Sequence, residues 1–299
     1  MKTAYVFDLG LTDYYEALKL QERLSYLRQV DAIGDTLVLL EHPSSITFGK
    51  NAHTLDRKRR MAKVSLEELG KKAPIYDVGR GGYITYHEPG QLVSYPILNL
   101  RDSTDRAHIL SLAERVTLAA RYVSALEETM IQTASTYGID LVRNNTIDIM
   151  LKRIRSFTIT GTPDVNGLLT DVKGLPASGV LRHPGVWYKD ASGMRKVGSL
   201  GVETKSYDGM LITMHGLAFN VNNSLELSEL IYPCGLDIEE TSLAKITGKS
   251  LPMSDVRKTM KEKFASIFGY KLKEIKLEEL PLEEHMPIKT VESSRLIVQ

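Results

Sequence analysis

The stretch GVWYKDASGMRKVGSLGVETKSYDGMLITMHGLAFNV, running from Gly185 to Val221, decides the fold class. It reads as three strands, at 185–188, 196–204 and 210–221, joined by turns at Ala191-Ser-Gly193 and Asp208-Gly209. Turns this tight between β-rich runs join antiparallel neighbours. Such a meander does not belong to a regular doubly wound sheet. Outward from it, a short run apolar on both faces (36–41) and two further runs (75–78 and 92–98) read as strands, with a loop at 44–53 and a glycine-rich turn at 79–82. Helical spacing predicts helices over 13–29, with Asp13 and Glu16 as a capping box, over about 107–137, and over 254–268. The expected class is α/β of the α+β type: a mixed, largely antiparallel sheet flanked by helices, in one domain spanning 1–299. An irregular insertion is expected at about 145–183, with a strand-like run at 156–160, and a C-terminal extension at about 271–299.

Composition narrows the function. The chain has 299 residues, 42% hydrophobic and 25% charged, with a formal net charge of +1, so no bulk basic field exists for nucleic acid. No apolar run approaches the roughly 18 residues that cross a bilayer. The opening Met1-Lys-Thr-Ala-Tyr-Val-Phe-Asp8 carries an acid where a secretory apolar region would continue, so a cytoplasmic protein is expected, with a monomer as the default. A single cysteine cannot form an internal disulfide; Cys234 is either a buried small hydrophobe or a chemical group.

Several reaction classes fail on inspection. Gly248-Lys249-Ser250 ends like a phosphate-binding loop, but Leu243 stands where that loop needs glycine. The seven histidines show no metal-ligand spacing, so neither a metal nor a cofactor is expected. Three segments remain whose small and polar residues have no evident packing role. The first is residues 80–91, where paired glycines allow close backbone approach. The second is Lys196-Val-Gly-Ser-Leu-Gly-Val202, a strand with two glycines, which weaken a strand unless something must come close. The third joins His215-Gly-Leu-Ala-Phe-Asn220 to Tyr232-Pro-Cys-Gly-Leu236, where Pro233 and Gly235 put Cys234 on a turn. A thiolate needs a nearby cation to be populated at neutral pH, and Lys196 is a candidate.

Together with residues 7–14, Leu40-Glu-His-Pro43 and Thr241-Ser-Leu243, these segments resemble the LipB-type octanoyltransferases of lipoate biosynthesis, within the biotin/lipoate protein ligase-like superfamily. The resemblance implies the catalytic fold of those ligases. It implies octanoyl-acyl carrier protein as donor, and as acceptors apo lipoyl domains such as 2-oxoacid dehydrogenase E2 subunits and the glycine cleavage H protein. It also implies Cys234 as acyl-bearing nucleophile and Lys196 as its partner. Acyl-contacting positions fall on Arg80, Gly81, Gly82, Tyr83, Ile84, Thr85, Tyr86 and His87, on Ser199, Leu200 and Gly201, and on Gly216, Leu217 and Ala218. Glycine amides of the Arg80 loop or of Gly216 would bind the tetrahedral oxyanion, with His87 and His215 shaping the pocket. Glu88 and Tyr83 depart from the family pattern. Lys271, Lys273 and Lys276 belong to a solvated tail by default, the alternative being a basic surface for an acidic carrier. Rival readings are an ATP-dependent lipoate ligase, a cysteine amidotransferase between lipoyl proteins, and a non-catalytic lipoyl-domain binding module.

Overall fold

In a computed structural model that describes residues 2–101, 111–143, 184–191, 193–235 and 237–280, the chain opens with a strand, β1 (Lys2–Leu11). Helix α1 (Tyr14–Gln29) follows because the Asp13 carboxylate accepts from the amides of Tyr15 at 2.8 Å and Glu16 at 3.2 Å. Glu16 does not complete the expected capping box; it pairs with Lys19 at 2.7 Å. Next come β2 (Asp35–Glu41), β3 (Ser45–Phe48), helices α2 (Leu55–Arg60) and α3 (Leu66–Lys72), and strands β4 (Ile75–Asp77), β5 (Ile84–His87) and β6 (Gln91–Ile97). Helix α4 (Leu112–Ser135) starts at a capping box between Ser111 and Glu114 and leads to β7 (Leu141–Arg143). The expected insertion at 145–183, with the strand-like run at 156–160, lies outside the described residues. Then follow β8 (Gly185–Asp190), β9 (Gly193–Tyr207), β10 (Met210–Asn220), α5 (Leu243–Thr247), α6 (Met253–Phe268) and β11 (Tyr270–Glu274).

Eight strands form one sheet in the order β11-β1-β2-β6-β10-β9-β8-β7. The pairs β11–β1 and β1–β2 are parallel and the rest antiparallel, so the sheet is mixed and largely antiparallel as expected. A second sheet, β4-β3-β5, contains the strand expected at 75–78 as β4, but its other two strands have no counterpart in the sequence reading. It replaces the loop expected at 44–53 with a strand, and it inserts β5 after the glycine-rich turn. The C-terminal extension is corrected too: its first residues are β11, which pairs with β1 from Lys2 to Val6, while residues 281–299 lie outside the described set.

Alternation explains the layering. Leu37 and Leu39 of β2 face one hydrophobic cluster, and Val38 and Leu40 face another, because successive strand side chains point to opposite faces. The first cluster takes Leu126 and Met130 of α4 and Met260 and Phe264 of α6. The second takes Leu24 and Leu27 of α1 with Met210, Ile212 and Met214 of β10. The sheet is therefore covered on both faces. A third cluster joins Ile46, Phe48, Ile84 and Tyr86 of the small sheet to Leu225 and Ile231, fixing that sheet beside the loop after β10. Among the described residues no helix is long and apolar enough to cross a membrane.

Candidate active site

The small sheet and the middle of the large one converge on a pocket of about 310 Å³, counting its open mouth, lined by Tyr14, Arg80, Thr85, His87, Tyr95, Ser199, Leu200, Gly201, His215, Gly216, Leu217 and Ala218. Three segments far apart in sequence meet here because β9 and β10 pair residue for residue, setting Gly201 opposite Gly216 and Leu200 opposite Leu217. Nine of the fourteen acyl-contacting positions expected from sequence line it. Gly81, Gly82, Tyr83, Ile84 and Tyr86 do not; Ile84 and Tyr86 point into the third cluster.

Arg80 is buried and braces the glycine loop. Its guanidinium donates to the Thr47 carbonyl at 2.7 Å, the Thr47 hydroxyl at 2.8 Å, the Gly81 carbonyl at 3.0 Å and the Tyr83 carbonyl at 3.0 Å. Glycine at 201 leaves room for it, since a Cβ there would lie 2.9 Å from Arg80 Cδ. The Gly81 amide donates to the Val202 carbonyl at 3.0 Å. This corrects one expectation, because an amide committed to a neighbouring strand is not available to an oxyanion.

Aromatic and imidazole rings close the inner end. Tyr14 lies 5.0 Å from His42 and 5.5 Å from His87, ring centre to ring centre, and Tyr95 bonds His42 Nε2 at 2.8 Å. Burial drives every one of these groups to its neutral form. The His42 imidazole is pushed down to about 4 and that of His215 to about 3, with Arg80 adding to the effect at His215. His87, bonded through Nδ1 to Gln91 at 2.8 Å, is lowered well below its ordinary value by burial and then by His42. Tyr14 is pushed up to about 12. Tyr14, His42 and Tyr95 are functional candidates that residue-by-residue reading missed. The only signal for Tyr14 and His42 was their place inside the resembling blocks 7–14 and 40–43, while Tyr95 lies in the run 92–98 that reads only as a strand.

Lys196 is completely buried on β9. Its backbone holds the segment after Cys234: its amide donates to Glu239 at 2.9 Å, and its carbonyl accepts from Thr241 at 2.8 Å. Its Nζ lies 5.6 Å from the centre of the Trp187 ring, and a Cβ at Gly185 would come within 2.8 Å of its Cε. Burial raises the Glu240 carboxyl, an effect opposed by the Lys196 charge and by hydrogen bonds from Tyr86 and Asn220. Cys234 occupies a single 3-10 turn, Pro233–Gly235, closed by the Gly235 amide donating to Tyr232 at 2.7 Å, with Gly235 in the left-handed region at φ +73°. Its side chain lies outside the described part of the structure. The turn adjoins the glycine loop, because a Cβ on Gly235 would sit 3.9 Å from the Tyr83 ring. Among the described residues no cluster of histidine, cysteine and acidic side chains could hold a metal ion.

The sequence profile of the lipoyl protein ligase A/B catalytic domain matches residues 13–265. An octanoyltransferase of Chloroflexus aggregans is 34% identical over 269 residues, covering 90% of this chain and 96% of its own. One from Caldicellulosiruptor saccharolyticus is 33% identical over 289 residues, covering 96% and 97%. Among solved structures, lipoate-protein ligase A bound with ATP superposes with a TM-score of 0.55 at 11% identity, over 94% of this chain and 92% of that one. A bipartite lipoate protein ligase from Thermoplasma acidophilum gives 0.55 at 12%, over 94% and 90%. At such low identity these structures speak to the fold alone, and the fold is that of the lipoate ligase catalytic domain.

Proposed function

The chain belongs to the lipoyl protein ligase A/B catalytic domain family, and from that premise we propose that it moves an octanoyl group from octanoyl-acyl carrier protein, through a Cys234 thioester, to a lysine of apo lipoyl domains. Its relatives at 33% to 34% identity are named octanoyltransferases, which supports acyl transfer in lipoate biosynthesis. The observation that carries the reading is local: the buried Lys196 is tied by two backbone hydrogen bonds to the segment that starts at the Cys234 turn. That turn borders the loop whose Arg80 and Thr85 line the pocket.

In the proposed mechanism a cation beside Cys234 favours its thiolate. The thiolate attacks the donor carbonyl, the carrier C–S bond breaks, and Lys196 gives its proton to the departing carrier sulfur. The acceptor lysine releases one proton to solvent to become nucleophilic and attacks the Cys234 thioester. It passes its second proton to neutral Lys196 as the amide forms and the thiolate leaves. Each cycle consumes one thioester, makes one amide and releases one proton. The acyl chain lies in the pocket, over the stretch of paired β9 and β10 where Gly201 stands opposite Gly216. We read the enzyme as a cytoplasmic monomer.

Intact-mass analysis after mixing with octanoyl-acyl carrier protein tests this. Wild type should gain a hydroxylamine-sensitive octanoyl adduct and Cys234→Ala none; an adduct on the variant, or none on wild type, ends the proposal. Lys196→Ala should slow acylation by about 10²-fold or more and shift thiol alkylation to higher pH. A ligase would need ATP and a free acid, so activity from the thioester without ATP separates the two readings. An amidotransferase would prefer an octanoylated lipoyl protein as donor.

A further inference from the structure

Residues 50–63 hold six basic side chains and one acid, in a chain whose net charge is +1. The rest of the molecule is therefore acidic on balance, and this segment is a local exception. Lys58 is buried against Asp77 at 2.5 Å, and Lys50 pairs with Glu203 at 2.6 Å. Arg57, Arg59, Arg60 and Lys63 are exposed and have no carboxylate partner among the described residues. Leu55, at the start of the same helix, is 49% exposed. A cationic face with an exposed apolar anchor suits an acidic protein surface.

Its position gives it a purpose. The segment leaving α2 is bonded to the Cys234 turn: the Tyr232 amide donates to Met61 at 2.8 Å, the Lys63 amide donates to Leu230 at 2.9 Å, and Lys63 Nζ lies 5.2 Å over the Tyr232 ring. The tail lysines lack that adjacency. β11 lies five strands from β9 in the sheet order, about 24 Å at ordinary strand spacing.

We infer that the Arg57–Arg59–Arg60 face of α2, with Lys63 and Leu55, is the docking surface for an acidic, thioester-bearing donor protein. This rests on the octanoyl-transfer reading above and assigns its donor a place. Charge selects the donor over the acceptor: the acceptor's reacting group is an ammonium at neutral pH and is repelled by the face, whereas a thioester brings no positive charge.

The test compares two donors, octanoyl-acyl carrier protein and the uncharged octanoyl thioester of N-acetylcysteamine, at about 50 and about 200 mM salt. Wild type is set against Arg57→Gln/Arg59→Gln/Arg60→Gln and against the corresponding triple glutamate variant. With the carrier protein, kcat/KM of the glutamine variant should fall on the order of tenfold through KM, and the glutamate variant should fall further. The wild-type salt dependence should flatten in the glutamine variant. With the small thioester, wild type and the glutamine variant should agree within about twofold, which also establishes that the variant is folded. Equal losses with both donors, an unaltered carrier KM, or a change confined to the acceptor KM would each overturn the docking surface. A wild type that accepts neither donor instead defeats the octanoyl-transfer reading itself.

Discussion

Glu88 follows His87 of the pocket, yet its carboxylate turns away to hold the loop after β10. It accepts from the Leu225 amide at 2.6 Å, Asn223 Nδ2 at 3.2 Å and the Ser224 hydroxyl at 3.0 Å. Leu225 sits in the left-handed region at φ +72°, a conformation that costs a non-glycine residue about 1–2 kcal/mol and needs outside support. Glu88→Ala leaves buried donors without acceptors, so urea unfolding should show a loss of about 1–3 kcal/mol, with the donor KM unchanged. A shifted KM at full stability would mean that Glu88 controls donor entry instead. The same logic separates two glycines that sequence treats alike. Gly201 makes room for Arg80, whereas a Cβ at Gly198 would press on Val186 at 2.8 Å and on Met130 of α4, so Gly198 serves packing.

At the scale of elements, β11 is the clearest case of structure hidden in a charged tail. Its parallel ladder covers β1, and the Tyr270 hydroxyl donates to Asp35 Oδ2 at 2.6 Å, where Asp35 also accepts from Arg28 at 2.8 Å and from the Asn99 amide at 2.9 Å. A chain ending at Gly269 should be less stable than one ending at Leu280 by about 3 kcal/mol or more, from lost tyrosine burial and the charge-assisted bond. Tyr270→Phe should recover most of that difference, and thermal unfolding of the three chains checks it. Parallel pairing between the two ends of a chain leaves no local signal, which is why neither β1 nor β11 was legible. β3 and β5, with four residues each, are too short for periodicity to speak. The β8–β10 meander was legible because each pairing is closed by its own turn, and α1 and α6 because cap and stripe are local. In the site, the segments at 80–87, 199–201 and 216–218 stood out because their glycines mark close approaches, Gly201 to the Arg80 side chain and Gly216 to the Ser94 backbone. Tyr14, His42 and Tyr95 did not, since they come from α1, the end of β2 and β6 and meet only in the folded sheet.

For the whole molecule, the neutral imidazoles around the pocket set how stability responds to acid. His42, at about 4, and His215, at about 3, bind protons far less readily when folded than the ordinary unfolded value near 6.5 allows. As pH falls below about 6.5 the unfolded chain takes up protons that the folded chain refuses. Stability from these groups is therefore complete above that value and is lost as pH drops toward about 4 for His42 and about 3 for His215. His87 acts in the same direction. Glu22 and Glu240 oppose it, since burial raises both carboxyls and the folded state then takes up protons before the unfolded one. With three imidazoles against two carboxyls, the midpoint of urea unfolding should fall between pH 7 and pH 5. His42 alone contributes about 2 kcal/mol to that fall. His42→Gln removes the titrating group and also its bonds to the Thr12 carbonyl and the Tyr95 hydroxyl, so the variant should start lower at pH 7 and then fall less steeply than wild type. The slope separates the two effects, because lost bonds lower stability equally at both pH values whereas a lost titration changes only the difference between them. Parallel pH profiles for variant and wild type would mean that the His42 imidazole titrates alike in both states, and the neutral lining of the pocket would then need another origin.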